Sequence, residues 1–170
     1  SISRLDSLQR VYIAPSWNLL GEVFRKVGDL DRALSFYLKA LKFGEQSGIP
    51  SAILNAYNNI GIVYDLKEEY EKSIEYYNSA LAYQRRLSNE LNEWSYPNFQ
   101  VGSNHNNLGI SFKNLGEYDS SEFHYKEGLK VMKQLSIPYG EGVLLDNLGV
   151  LSLKQSKYND ALAYHKKGLA

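Results

Sequence analysis

The stretch "AYNNIGIVYDLKEEY", residues 56–70, has the apolar and polar spacing of an amphipathic helix. Stretches of the same kind, separated by short polar turns, predict eight helices. Gly28 is a helix stop and Asp29 a cap for the following helix, and Pro50 and Pro138 mark turns before two others. The predicted helices lie near residues 15–27, 30–46, 51–67, 70–88, 102–115, 118–135, 139–155 and 158–169.

Residue types that disfavour helices stand in the middle of the helix near 51–67. Asn58, Asn59 and Gly61 are poor helix formers, so something other than helix propensity explains them. The arrangement returns along the chain, because the quartets NLLG, NNIG, NNLG and DNLG end at Gly21, Gly61, Gly109 and Gly149. Their spacings of 40, 48 and 40 residues indicate an internal repeat.

Positions around each of these glycines recur in size. Bulky residues stand four before the glycine and aromatic rings sixteen after it, namely Trp17, Tyr57, His105 and Leu145, then Tyr37, Tyr77, Tyr125 and His165. Small residues stand twelve and nineteen after it, namely Ala33, Ser73, Ser121 and Ala161, then Ala40, Ala80, Gly128 and Gly168. This alternation of bulky and small residues predicts helices that interlock closely.

The pattern W-x2-L-G-x2-Y…A-x3-Y-x2-A resembles the tetratricopeptide repeat (TPR), most fully at residues 17–40. The resemblance implies an all-α fold, a right-handed α-solenoid of antiparallel helix pairs. Two departures are that Glu45 stands where the family has a proline, and that the period is 40 residues rather than about 34. Repeats of this length are similar to those of kinesin light chains, cell-polarity adaptors and bacterial peptide-sensing regulators.

The repeats divide the chain into consecutive segments. Residues 1–13 are expected to be the tail of a preceding repeat, and 14–53, 54–101, 102–141 and 142–170 to be four repeats, the last truncated. The second contains an extended second helix, as far as about Trp94, or an inserted loop at 87–101. The chain is therefore interpreted as a fragment of a longer array. Because the last helix has no polar capping helix, homo-oligomerisation through 158–169 is expected.

Composition excludes several classes of protein. Nineteen basic residues balance nineteen acidic ones, so no net charge attracts nucleic acid or a membrane surface. Without cysteine there is no disulfide or thiolate site. No apolar run approaches a membrane span, and residues 1–10 lack the apolar core of a signal peptide. The expected location is the cytoplasm.

Candidate catalytic groups have simpler interpretations. His105 and His165 occupy helix-packing positions, and His124 is interpreted as a solvated helix residue. Glu68 and Glu69 lie in a turn beside a lysine, and the repeated glycines lie inside helices rather than in a phosphate-binding loop. We therefore expect no catalytic residue, no metal and no cofactor, and the chain is not predicted to be an enzyme.

The resemblance implies that the first helix of each repeat lines a concave groove. The positions that face it make Asn18, Arg25, Asn58, Asn59, Ile62, Asn106, Asn107, Lys113, Asn147 and Lys154 candidate peptide-binding residues. An asparagine amide both donates and accepts, so it can pair with the backbone of an extended peptide of any sequence. Alternatively, Asn59, Asn107 and Asn147 bond across to the next helix and fix the stacking register.

Two further features bear on the expected ligand. Chaperone-binding members of the family use a basic clamp for a terminal carboxylate, but Asn18 stands where that clamp needs lysine and Glu22 where it needs asparagine. The aromatic residues Trp94, Tyr96 and Phe99 either form an interface anchor or fill the space opened by the insertion.

The sequence therefore predicts a non-catalytic protein–protein interaction module. Its expected partner is a protein or an extended peptide in the concave groove, with no nucleic acid and no membrane contact. The alternative is a regulatory input segment of a larger bacterial signalling protein, such as a sensor kinase or a transcription regulator.

Overall fold

A computed structural model describes residues 7–91 and 98–169 of the 170-residue chain. The chain divides into two compact units, Ser1–Tyr83 (unit 1) and Gln84–Ala170 (unit 2). Eight helices and no strand occur in the described ranges. This confirms the predicted all-α class and its helix pairs.

Unit 1 contains α1 (Ser7–Lys26), α2 (Leu30–Ser47), α3 (Pro50–Leu66) and most of α4 (Tyr70–Leu91). Helix α2 begins at the predicted cap, since the Asp29 side chain accepts a hydrogen bond from Arg32 N at 3.1 Å. Apolar side chains of α2 and α3 form the core between them, including Leu41, Ile53 and Ile60.

Unit 2 contains the end of α4 together with α5 (Phe99–Leu115), α6 (Tyr118–Gln134), α7 (Pro138–Lys154) and α8 (Tyr158–Gly168). Helix α5 is capped by Asn98, whose Oδ1 accepts from Val101 N at 3.2 Å. Tyr125, Met132 and Leu144 belong to the buried core in which α6 and α7 meet.

Three helix ends differ from the predicted bounds by three residues or more, and one of them is the start of α5 at Phe99 rather than near 102. Helix α1 begins at Ser7 rather than near residue 15, and it continues through Pro15. Residues 7–14 contain no glycine or proline that would stop a helix, and a proline inside a helix removes only one backbone donor and kinks it. Residues 7–13 are therefore part of α1, and the assignment of residues 1–13 to the tail of a preceding repeat stays a prediction. Helix α4 extends to Leu91, past the predicted end at 88, and the proposed extension to Trp94 lies outside the described residues.

Each repeated glycine lies under the aromatic ring that stands sixteen residues later. A Cβ added to Gly21 would lie 2.5 Å from Tyr37 Cε1, and one added to Gly61 would lie 2.6 Å from Tyr77 Cε1. The same contacts join Gly109 to Tyr125 and Gly149 to His165. The glycine is therefore required by the close approach of the two helices of a pair, which answers why a helix accepts it.

The turn inside each pair uses left-handed backbone at an equivalent position, seven residues after the repeated glycine. Gly28 and Gly116 have φ of +83° and +81°. Glu68 and Ser156 adopt the same region, with φ of +60° and +59°. Side chains are tolerated there because the turn geometry is set by the packed helices on both sides.

Candidate functional site

The predicted groove residues lie on the first helix of each pair, namely α1 and α3 in unit 1 and α5 and α7 in unit 2. Lys154 is exposed and the other nine are half-buried. We name two surfaces: the α1–α3 face consists of Asn18, Arg25, Asn58, Asn59 and Ile62, and the α5–α7 face of Asn106, Asn107, Lys113, Asn147 and Lys154. Part of each side chain is therefore accessible to a ligand.

Asparagine pairs link the first helices inside each unit. In unit 1, Asn59 Nδ2 donates to Asn18 Oδ1 at 3.3 Å. In unit 2, Asn147 Nδ2 donates to Asn106 Oδ1 at 2.7 Å. In both bonds the donor stands two residues before a repeated glycine. The acceptor stands three residues before the repeated glycine of the preceding repeat. They favour the stacking-register interpretation of Asn59 and Asn147, because a bond at equivalent positions fixes the offset between neighbouring helices.

An open cleft of about 600 Å³ lies between α1 and the beginning of α3. The cleft contains three asparagines together with apolar and acidic groups, and its lining is Ala14, Pro15, Asn18, Leu19, Glu22, Ile49, Ser51, Ala52, Asn55 and Asn59. Leu19 remains 64% exposed there. This lining suits an extended chain, because amides can bond to its backbone while Leu19 contacts a side chain.

The position four residues after the repeated glycine carries a different charge in each unit 1 repeat. In the second repeat it is Asp65, whose Oδ2 accepts a hydrogen bond from the buried Tyr77 hydroxyl at 2.8 Å. Burial and then the Asp65 charge raise the pKa of Tyr77, so the hydroxyl remains a donor. In the first repeat the position is Arg25. Burial raises the pKa of Tyr37, and the neighbouring Arg25 guanidinium opposes that shift.

The α5–α7 face carries a lysine at this position. Burial lowers the pKa of Lys113, and the positive charge of Lys154 on α7 lowers it further. Ile110 and Val150, each half-buried, lie about one turn before the two lysines. Together with Ile110 and Val150, the α5–α7 face therefore presents an amide level, an apolar level and a cationic level.

His124 forms half of a histidine pair, so its interpretation as a solvated residue is wrong. Its Nδ1 lies 3.0 Å from His105 Nδ1, and its ring stacks on Phe112 with centroids 5.3 Å apart. Burial lowers the pKa of both histidines to about 4, with smaller contributions from Arg85 to His105 and from His105 to His124. At neutral pH both rings are uncharged, and one donates to the other.

Within the histidine pair, His124 occupies a repeated aromatic position that the sequence analysis did not identify. Fifteen residues after the repeated glycine stand Phe36, Tyr76, His124 and Tyr164. Phe36 stacks on Phe24 with centroids 5.4 Å apart, and Tyr76 stacks on Tyr64 at 5.5 Å. This recurrence is visible in the sequence. It is easily missed because the next position, sixteen after the glycine, is also aromatic in most repeats. The predicted packing role of His105 agrees with this geometry.

The proposed aromatic interface is only partly described. Phe99 is 54% exposed at the first turn of α5. Trp94 and Tyr96 lie outside the described residues. Phe99 therefore remains a candidate contact, and the cluster stays a prediction.

The described residues contain neither a metal-binding group nor a membrane-spanning helix. Among residues 7–91 and 98–169, no three His, Cys, Asp or Glu residues are placed to hold a metal ion. In the same ranges no helix combines the length and apolarity needed to cross a bilayer.

The sequence matches the family model for the tetratricopeptide repeat over residues 12–86. Over this segment, which is less than half of the chain, the sequence is similar to the tetratricopeptide repeat family. The match confirms the prediction from the repeat pattern, and the pattern continues at Gly109 and Gly149 in unit 2. The comparison with curated proteins finds no match.

Solved TPR-type structures share the fold at low sequence identity. BtubC (BKLC) from P. vanneervenii is 21% identical with a TM-score of 0.80, over 98% of this chain and 66% of that one. The apo form of RapI is 20% identical with a TM-score of 0.80, over 98% and 44%. A Rap protein complexed with competence and sporulation factor is 16% identical with a TM-score of 0.78, over 92% and 42%. The chain thus spans less than two thirds of each.

Proposed function

We propose that the chain is a non-catalytic module that binds extended peptides, with the α1–α3 face of unit 1 and the α5–α7 face of unit 2 as separate candidate surfaces. The observation that carries the proposal is the cleft between α1 and α3, with Asn18, Asn55 and Asn59 in its lining. At about 600 Å³ the cleft has room for several residues of an extended chain.

The register bonds are compatible with binding. An asparagine amide has two N–H donors and an oxygen with two lone pairs. Asn59 uses one donor on Asn18, and Asn18 uses one donor on Ala14 O at 3.1 Å. Capacity therefore remains for a ligand, and the mutual bonds hold the amides in place before it arrives. Fixed amides lose little side-chain entropy on binding.

The fold likeness supports a peptide ligand by analogy. One of the similar structures is a Rap protein in complex with competence and sporulation factor. At 16% identity that likeness concerns the fold. Its extension to this chain rests on the cleft and its asparagine amides.

A selection from a random peptide library displayed on phage, with the full chain immobilised, tests the proposal. We expect enriched peptides whose affinity falls about 2- to 10-fold in Asn59→Ala, the loss of one hydrogen bond worth about 0.5–1.5 kcal/mol. Asn78→Ala is the matched control, because Asn78 is exposed on α4 and belongs to neither face. Unchanged affinity with a lower urea midpoint in Asn59→Ala would assign that residue to register alone. A library that yields no binder would refute the proposal.

A second role is the signal-sensing segment of a larger bacterial signalling protein. The observation that favours it is the likeness in fold to RapI and to the factor-bound Rap protein. Sequencing of the full reading frame is the test: a kinase or DNA-binding domain in the same protein supports this role, and its absence favours a stand-alone adaptor.

A further inference from the structure

The geometry points to an acidic side chain as the group that the α5–α7 face selects, held between Lys113 and Lys154 and beside the apolar pair Ile110 and Val150. The inference rests on the proposed peptide-binding function and names the ligand class of one of its surfaces. The inference is argued from the asparagines, the apolar residues and the lysines, which follow one another along the two helices.

The register of α5 against α7 brings the two lysines to one level. Asn106 and Asn147 are bonded at 2.7 Å across the two helices. Lys113 follows Asn106 by seven residues, and Lys154 follows Asn147 by seven. Seven residues are about two helical turns, so each lysine lies on the same stripe as its asparagine, about 10 Å further along. The mutual effect on the pKa of Lys113 agrees with this proximity.

Lys154 lacks the acidic partner that its equivalent, Lys26, has. Lys26, at the repeat position of Lys154, forms an ion pair with Glu22 at 3.0 Å. On α7 the residue equivalent to Glu22 is Val150, which carries no charge. Within the described part of unit 2, neither Lys113 nor Lys154 has an ion-pair partner.

The two lysines lie close together and Lys113 is half-buried, so their positive charges lower the stability of the fold. An anion bound between them would remove that cost. Like charges repel, and burial disfavours the charged form of Lys113. A ligand carboxylate would accept hydrogen bonds from both ammonium groups. Its neighbouring apolar side chain would contact Ile110 and Val150, which remain half-buried.

The same phage selection tests the ligand class on the α5–α7 face. We expect aligned binders to carry Asp or Glu at one position, and replacement of that residue by Asn or Gln to weaken binding about tenfold. Lys113→Glu/Lys154→Glu should reverse the preference to Lys or Arg. Lys133→Glu, an exposed charge on α6, is the matched control and should leave the preference unchanged. Circular dichroism of each variant verifies the fold.

The outcomes distinguish a side-chain carboxylate from a C-terminal carboxylate. They also distinguish failure of this inference from failure of the peptide-binding proposal. A carboxylate could also come from the peptide's C-terminus, so each binder is measured with a free and an amidated end. Dependence on the free end alone would overturn the side-chain assignment. Binders without an acidic preference, or a preference that the double reversal leaves unchanged, would overturn this inference while the peptide-binding function stands. A selection without binders would overturn both.

Discussion

Replacement of Gly61 by alanine should destabilise unit 1, although alanine favours helices. The added Cβ would lie 2.6 Å from Tyr77 Cε1 and 2.8 Å from Cζ, inside contact distance. Tyr77 is fully buried, and its hydroxyl is bonded to Asp65 at 2.8 Å. The ring therefore has no free direction in which to move unless the core opens or that bond breaks.

The net effect is the difference of three contributions. Overpacking costs about 1–3 kcal/mol, and a lost hydrogen bond to a charged group about 1.5–3 kcal/mol. Replacing glycine in a helix interior returns about 1 kcal/mol. We expect Gly61→Ala to lower the free energy of unfolding by about 1.5–5 kcal/mol.

Gly142→Ala supplies the matched control. Gly142 lies in α7, where an added Cβ would meet only Gly168 O at 3.7 Å, an ordinary contact. This variant should be more stable than the native chain by about 0.5–1 kcal/mol, because only the helix-propensity term remains.

Urea unfolding followed by circular dichroism compares the two variants. With a slope of about 2 kcal/mol per molar urea, Gly61→Ala should lower the midpoint by about 0.8–2.5 M, and Gly142→Ala should raise it. Equal gains in both variants would refute the conclusion that close helix approach selects the repeated glycine.

Three further predictions concern pH, register and capping. Between pH 7 and pH 4 the native chain should lose about 1–2 kcal/mol more stability than a His105→Tyr/His124→Tyr variant, measured by urea midpoints. Both imidazoles have a folded pKa of about 4, below the usual 6.5, so the unfolded chain binds protons first as the pH falls. The expected loss is smaller than these two shifts would give for fully buried groups, because both rings are partly exposed and solvent screens their charge. Asn147→Ala should cost about 1 kcal/mol by loss of the 2.7 Å bond to α5, and an unchanged midpoint would contradict the register role. Asp29→Ala should cost about 1 kcal/mol by loss of the α2 cap, and hydrogen exchange should increase in the first turn of α2.

The repeat pattern predicts the helix pairs because packing constraints recur in the sequence. Gly61 and Tyr77 are separated by sixteen residues, and the same separation joins Gly21 to Tyr37. A contact that recurs at a fixed spacing is recognisable from the order of residues alone. The turn at Glu68 lacks that signal, because its left-handed backbone is imposed by neighbouring helices rather than by a glycine.

The candidate site is harder to predict, since its details depend on which atoms approach between helices. The asparagine positions are visible in the sequence, but the bond from Asn59 to Asn18 depends on the offset of α3 against α1. The surroundings of His124 are likewise set by His105 and Phe112 on another helix. Helical periodicity says which side of α6 a residue occupies, not what it meets there.

The packing residues recur from repeat to repeat, whereas the charged residues differ. This difference indicates that the charged positions are the ones that could set ligand specificity. A buried tyrosine stands sixteen after the glycine at both Tyr37 and Tyr77, yet the surface residue beside it is Arg25 in one repeat and Asp65 in the next. The same glycine contact holds the backbone around both tyrosines, while the charge at this position differs between the two repeats. Lys113 occupies the same position in unit 2. Under the proposed peptide-binding function, we expect ligand preference to follow these charges repeat by repeat, and the lysine reversal on the α5–α7 face is the first change that tests it.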